Sequence, residues 1–285
     1  MAISIKSLRR TENTDPPRTF TYGRPKIGKT TLIAEFPKNF WIQTEQGTPA
    51  GLEITSFGKI SSYQDVLDAI MVLAENETGA KYVTIDTADR LDTHINNLVC
   101  KENKWANIEE PGYGKGYVIA GYYWKQLLYG TPTHPGLQGL VDLGIGVNLI
   151  GHSEIITFND PTSKTYNKWE IRLNKHVLGI VQDWCDLIMH LDVAVGVVED
   201  PMAFSKKKTR VRADGGTQRW ITTDGAANLT AGSRYPGMPK KFPYMIGHGY
   251  ETLSKYFPHV NGGVLPPEPA GEDETNTTET TEQAA

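Results

Sequence analysis

The sequence has little cysteine, only Cys100 and Cys185 among 285 residues. Two thiols cannot build a disulfide framework or a zinc cluster, and they fit a reducing, cytoplasmic setting. No unbroken apolar run approaches the ~18 residues that a membrane-spanning helix needs, so no membrane partner is expected. Residues 1–17 hold no continuous apolar segment, so no secretion leader is expected either. There is no internal repeat, and no excess of charge that would mark a nucleic-acid binder by its sum alone. Apolar residues make up 39 % and charged residues 22 %, which excludes a wholly disordered, collagen-like or coiled-coil chain. A chain this long buries roughly 75 % of its unfolded surface, enough for a real core.

The net charge of −4 hides an asymmetry. Residues 265–285 carry Glu268, Glu272, Asp273, Glu274, Glu279 and Glu282 and no base; removing these six from the 33 acids leaves 27 against 29 bases. With its Pro and Thr content this segment reads as a disordered acidic tail, either solubilising or docking a partner. Residues 1–17 read as an arm closed by Pro16-Pro17, in which Ile3 and Ile5 alternate like a short strand. Between them, residues 18–264 read as one domain. Strands are predicted at Thr19–Tyr22, Phe40–Thr44, Lys81–Asp86, Val147–Ile150 and Asp186–Asp192. Helices are predicted at Lys29–Phe36, around Tyr63–Leu73 behind a Ser62/Asp65 cap, at Leu91–Cys100, Tyr117–Tyr129 and Gly247–Phe257. After residue 192 short strands at Val193–Val198, Lys208–Arg212 and Arg219–Thr223 suggest hairpins. The rhythm predicts an α/β fold, a mainly parallel sheet flanked by helices with an antiparallel hairpin extension at its C-terminal side.

One motif carries definite chemistry. Gly23-Arg24-Pro25-Lys26-Ile27-Gly28-Lys29-Thr30 has the spacing of a phosphate-binding loop, with a strand before it and a helix after it. Backbone N–H groups freed by the glycines, and the helix N-terminus, suit an anion. Lys29 would reach the outer phosphates of ATP, Thr30 would offer its hydroxyl to Mg²⁺, and Thr31 would extend the cradle. Asp86 ends a strand and could hold the Mg²⁺ shell, or simply cap the helix that follows. Glu45 also follows a strand end and could activate water, or be a solvated loop acid; Asp89 is a weaker competitor.

These residues, in this order and spacing, resemble the phage RecA-like P-loop ATPases of recombination, the Sak-type single-strand annealing group. The resemblance spans roughly residues 18–245. It includes Tyr113-Gly114-Lys115-Gly116-Tyr117, Leu149-Ile150-Gly151-His152 and Ala231-Gly232-Ser233-Arg234 besides the loop, Glu45 and Asp86. It implies a RecA-like core, hydrolysis of ATP with Glu45 as the catalytic carboxylate, and His152 as a sensor of the γ-phosphate. Arg234 resembles the base of an Ala-Lys-x-Arg element that reaches a neighbouring subunit's nucleotide, with Gly232 in the Lys position. The implied partners are single-stranded DNA, a single-strand-binding or other recombination protein, and further copies in a ring or filament. The implied location is the host cytoplasm.

Basic residues interleaved with aromatics suit single strands independently of any family. Lys104, Trp105, Tyr113 and Lys115 form one such stretch, continuing to Tyr122, Tyr123, Trp124 and Lys125. Lys164, Lys168, Trp169, Arg172 and Lys175 form another. Both stretches are equally open to a reading as core packing. Lys206-Lys207-Lys208 with Arg210 and Arg212 is a purely basic patch, or a lysine-guarded edge.

Overall fold

The computed structural model describes residues 12–159, 164–201, 209–264 and 266, with backbone alone for 194–201 and 209–215. Ile3, Ile5, Lys206–Lys208 and the tail from 267 lie outside the described residues.

Period-two burial builds the sheet. In β1 (Arg18–Gly23), Phe20 and Tyr22 join the core on one face, while Thr19 and Thr21 are buried on the other. β4 (Tyr82–Asp86) and β5 (Gly146–Phe158) divide likewise: Val83, Ile85, Val147 and Leu149 go one way, Tyr82 and Ile150 the other. With β2 (Asn39–Gln43), β3 (Thr55–Lys59), β7 (Leu187–Pro201), β8 (Thr209–Thr222) and β10 (Lys241–Tyr244), the strand order is β10-β8-β7-β1-β5-β4-β2-β3. Strands β3 through β7 in that row are parallel; β8 and β10 add an antiparallel edge.

Crossover handedness assigns the helices. The chain travels one way along the sheet from β1 through β2 to β3, and returns from β3 to β4, β5 and β7. Right-handed crossovers therefore place α1 (Lys29–Ala34) on one face and the helices of the return path on the other. Leu32, Ile33 and Phe36 accordingly share a core with Leu253 of α7 (Gly249–Ser254) and with Phe257. The second core takes α2 (Tyr63–Glu75), α3 (Ala88–Asn103), α4 (Lys115–Tyr129), α5 (Gly136–Asp142) and α6 (Lys175–Trp184). Ser62 and Asp65 form the expected capping box of α2.

Several expectations need correction. Helix α5, which is not among the predicted helices, begins just after Pro135; Pro is tolerated there because first-turn N–H groups lack helical partners anyway. Helix α6 starts at Asn174, whose side chain accepts from His176 N at 3.0 Å. Strand β5 runs 13 residues and pairs with β6 (Tyr166–Ile171), so a hairpin stands where only Val147–Ile150 was expected. The three short strands after residue 192 are two long ones, β7 and β8. Pro201 sits at the end of β7, and Asp214-Gly215-Gly216 lies within β8 rather than ending it.

A buried polar row crosses the α1 face. Thr19 Oγ1 donates to Asn148 Oδ1 at 2.8 Å, Asn148 Nδ2 to Thr84 Oγ1 at 3.4 Å, and Thr84 Oγ1 to Asn39 Oδ1 at 2.8 Å. Asn39 Nδ2 then donates to the Ile33 carbonyl of α1 at 2.9 Å. Below the sheet's other end, Asp186 accepts from Arg18 at 2.6 Å and Arg234 at 3.0 Å. Glu35, just past α1, accepts from Tyr244 Oη at 2.7 Å, Gly247 N at 2.8 Å and Tyr250 N at 3.2 Å. Gly249 must be glycine for this docking, since a Cβ there would meet Leu32 Cδ1 at 2.2 Å.

Asn148→Ala would leave the Thr19 and Thr84 hydroxyls short of a partner in a buried site. We expect a loss of about 2–3 kcal/mol in urea unfolding with an unchanged slope.

Candidate nucleotide-binding site

Strands β1, β4 and β2 end close together at one edge of the sheet, and β5 runs past that edge between β1 and β4; these four deliver the site. Gly23 pairs with His152, Ile150 with Asp86, and Asp86 with Gln43. Gly23, His152, Asp86 and Glu45 thus stand in a row at the carboxyl edge, where ligands of open parallel sheets bind. Gly28 has φ of +107°, a left-handed conformation that turns the loop into α1. A cavity of about 500 Å³ lies over this edge, with Pro25, Lys26, Gly28 through Thr31, Glu45, Asp86 and His152 in its wall.

Lys29 is only 6 % exposed. Its Nζ donates to the carbonyls of Gly23 at 3.0 Å and Arg24 at 2.9 Å, and it has no ion pair among the described residues. Burial lowers its pKa to about 8, against the pull of Asp86, Asp89 and Glu45. A buried cation held by neutral carbonyls suits an incoming phosphate. Thr30 Oγ1 donates to Asp86 Oδ2 at 3.1 Å. Burial pushes the Asp86 carboxyl up to about 6, with the Thr30 bond opposing. A hydroxyl beside a carboxylate gives two hard oxygen ligands, enough for Mg²⁺ when phosphates and waters complete its shell.

Glu45 is placed by stitching between two strand ends. Thr44 N donates to the Asp86 carbonyl at 2.9 Å, and Thr44 Oγ1 exchanges hydrogen bonds with Thr87 N and O, each at 2.8 Å. The Glu45 carboxylate faces the cavity and forms no ion pair among the described residues. Asp89 is differently engaged. His152 Nδ1 lies 2.9 Å from its Oδ2, and Arg172 Nη2 donates to the same oxygen at 2.6 Å. Burial would raise its pKa, but the hydrogen bonds from His152 and Arg172 outweigh that and hold it at about 2. An ionised Asp89 only accepts, so it keeps the proton on His152 Nδ1. Asp89 is therefore a bridge between His152 and Arg172, and Glu45 is the acid of the cavity wall left without an ion pair among the described residues.

Arg219 of β8 escaped sequence reasoning. Its Nε donates to the Ile27 carbonyl at 2.8 Å and comes within 3.2 Å of where a Gly28 Cβ would stand. Arg24 ion-pairs with Asp192 at 2.6 Å. Arg234 is not brought to this site: it is committed to Asp186 and to the Asp183 carbonyl, where β1 and β7 begin.

The residues proposed to face nucleic acid divide. Tyr113 is fully exposed at a turn with φ of +51°, and Lys104, Lys115, Lys164 and Lys175 are exposed beside it in sequence or on the hairpin side. The two stretches do meet, for a Gly114 Cβ would lie 3.4 Å from His176 Nε2. Trp105, by contrast, packs on the core. Trp124 is wholly buried, with Nε1 donating to Asp92 at 2.8 Å. Lys168 pairs with Glu170 at 3.3 Å and lies over Phe158, Trp169 stacks on His190, and Arg172 holds Asp89.

Loop, strand order and paired Thr30–Asp86 together define a P-loop NTPase. A family model described as an AAA domain matches residues 15–235, and the chain belongs to that family. Comparison with curated proteins finds no match.

Lys29→Ala is expected to weaken nucleotide binding at least about a hundredfold in a folded chain, and Glu45→Gln to keep binding while losing turnover. Equilibrium binding beside steady-state hydrolysis checks both. Asp86 titrates above its ordinary value of 3.8, so its contribution to stability is full below that pH and is lost as pH rises through about 6. Asp86→Asn should therefore stabilise the nucleotide-free chain by about 1–2 kcal/mol at pH 7.5. That gain should vanish toward pH 4 in a thermal melt series, while Mg²⁺-dependent binding is lost throughout.

Proposed function

We propose that the chain is a RecA-like ATPase of the phage recombination type, which binds single-stranded DNA and promotes annealing or homologous recombination. The observation that carries the reading is the course of β5. It leaves the core beside β1 and β4, presents His152 to the phosphate cavity, and continues without a break into an exposed hairpin. On that hairpin Ile155 is 58 % and Phe158 38 % exposed, and Phe158 pairs with Tyr166 at 5.6 Å. One rigid strand thus joins a nucleotide sensor to an aromatic and basic surface.

The residues take these roles. Lys29 and the loop N–H groups bind and orient the phosphates. Thr30 and Asp86 would hold Mg²⁺, which neutralises charge on the outer phosphates when bound. Glu45 orients and deprotonates water. His152 reports the state of the γ-phosphate through Asp89 to Arg172 at the base of the hairpin. Assembly into a ring or filament in the host cytoplasm, Arg234 acting on a neighbour's nucleotide, and a single-strand-binding or other recombination protein as partner belong to the same reading.

The test is the steady-state ATPase rate alone, with single-stranded DNA and with duplex DNA, at one fixed salt. We expect a several-fold stimulation by single strands that disappears in Lys29→Ala. ATP binding with no response to either DNA would replace this reading with a nucleotide-gated scaffold or a P-loop small-molecule kinase.

A further inference from the structure

A second cavity, of about 340 Å³, lies on the sheet face opposite α1. The alternation of β8 sets it apart from the phosphate site: Arg219 reaches the loop, and its neighbour Trp220 lines this other cavity. Trp169 of the hairpin also lines this cavity and stacks on His190, ring centroids 6.0 Å apart and 28° from parallel. Tyr22 backs His190 at 4.8 Å. Trp169 is held there by its own backbone, which donates to the Asn228 carbonyl at 2.8 Å and accepts from Thr230 N at 3.1 Å.

Part of the polar lining of this aromatic slot is unspent. Trp220 Nε1 is buried with no hydrogen-bond partner among the described residues. The exposed Asn228 side chain also stands in the wall. Two cations flank the opening: Lys241, whose Nζ lies 5.1 Å from the Trp220 ring centre, and Arg24, with a side chain 45 % exposed. Flat π surfaces, free edge-reading groups and flanking positive charge are the elements that hold an unpaired base and its phosphate.

We propose that this cavity takes one base of a single-stranded DNA chain, stacked between the Trp169 and Trp220 walls, with Asn228 on its edge and Arg24 and Lys241 on the adjoining phosphates. The proposal rests on the single-strand reading above and adds a site for it. It also gives the strand a direct hold on the nucleotide loop. Arg24 belongs to that loop and pairs with Asp192 in the cavity wall, so a phosphate drawing on Arg24 competes with Asp192. The occupant is a base of the strand and not the adenine of ATP, because this cavity shares no lining residue with the one around Lys29 and Thr30 and lies on the sheet face opposite α1.

The experiment measures binding of a fluorescein-labelled oligothymidylate by anisotropy, at fixed salt with Mg²⁺ and a non-hydrolysable ATP analogue. The full chain is compared with Trp220→Ala, Trp220→Phe and Asn228→Ala. Loss of one stacked base should weaken binding roughly ten- to a hundredfold in Trp220→Ala, with Trp220→Phe recovering most of it. Asn228→Ala, a change at an exposed side chain, should cost about three- to tenfold. Nucleotide affinity should be unchanged in all three. Strand affinity at the wild-type level in Trp220→Ala and Asn228→Ala that still bind nucleotide would overturn the site and leave the single-strand reading standing. If Trp220→Ala fails to fold, Asn228→Ala alone decides. No strand binding by the wild type would overturn both. Quenching of tryptophan fluorescence by the ATP analogue alone, absent in Trp220→Phe, would assign the cavity to adenine and overturn the proposal.

Discussion

The row of hydrogen bonds from Thr19 through Asn148 and Thr84 to Asn39 fixes how β1, β5, β4 and β2 lie against one another. A one-residue slip would already turn the buried set of a strand to the other face, and the buried polar chain adds to that constraint, because each slip also leaves several groups without partners. The site depends on this. Gly23, His152, Asp86 and Glu45 come from four neighbouring strands, and they meet because the register of those strands brings these positions to one edge. The row also reaches α1 through the Ile33 carbonyl, so the same bonds that align the strands seat the helix that follows the phosphate loop.

Within the site, charge is distributed unevenly. Lys29 and Asp86 are buried without full compensation, and both are displaced from their ordinary titration in the direction that disfavours charge. Asp89, a few residues on, is saturated by His152 and Arg172 and stays ionised. The first two are groups whose deficit phosphate and a divalent cation would fill. The third is a strut between the strand carrying His152 and the base of the hairpin. Three acids of one neighbourhood thus differ by environment: Asp86 is buried beside Thr30, Glu45 has no ion pair among the described residues, and Asp89 is bound by His152 and Arg172.

What could be read from the sequence was local. The phosphate loop lies within eight consecutive residues, and Asp86, Glu45 and His152 each follow directly on an apolar strand, so strand ends pointed to them. Arg219 could not be found that way. It lies 192 residues from Ile27 and reaches it only because β8 follows β7 antiparallel beside β1. The Asp89–Arg172 pair likewise needs the return of the chain after the hairpin. Composition left the tryptophans open between base stacking and core packing; Trp124 shares a helical face with Ala120, Leu127 and Leu128 and is buried. The length of β7 and β8 was hidden by turn-forming residues: beside Gly215-Gly216 the ladder shifts register between Val193 and Val195 and then continues.

The docking of Glu35 onto residues 244–250 bears on where this domain ends. Residues 15–235 match the family, yet the apolar side of α1 is covered by Phe242, Tyr244, Leu253 and Phe257, all beyond that limit. A fragment cut at 235 would bare Leu32, Ile33 and Phe36 to water and strand the Glu35 carboxylate. The segment recognisable by kinship and the segment able to keep the phosphate-binding helix seated are different lengths, and the second must extend past Phe257.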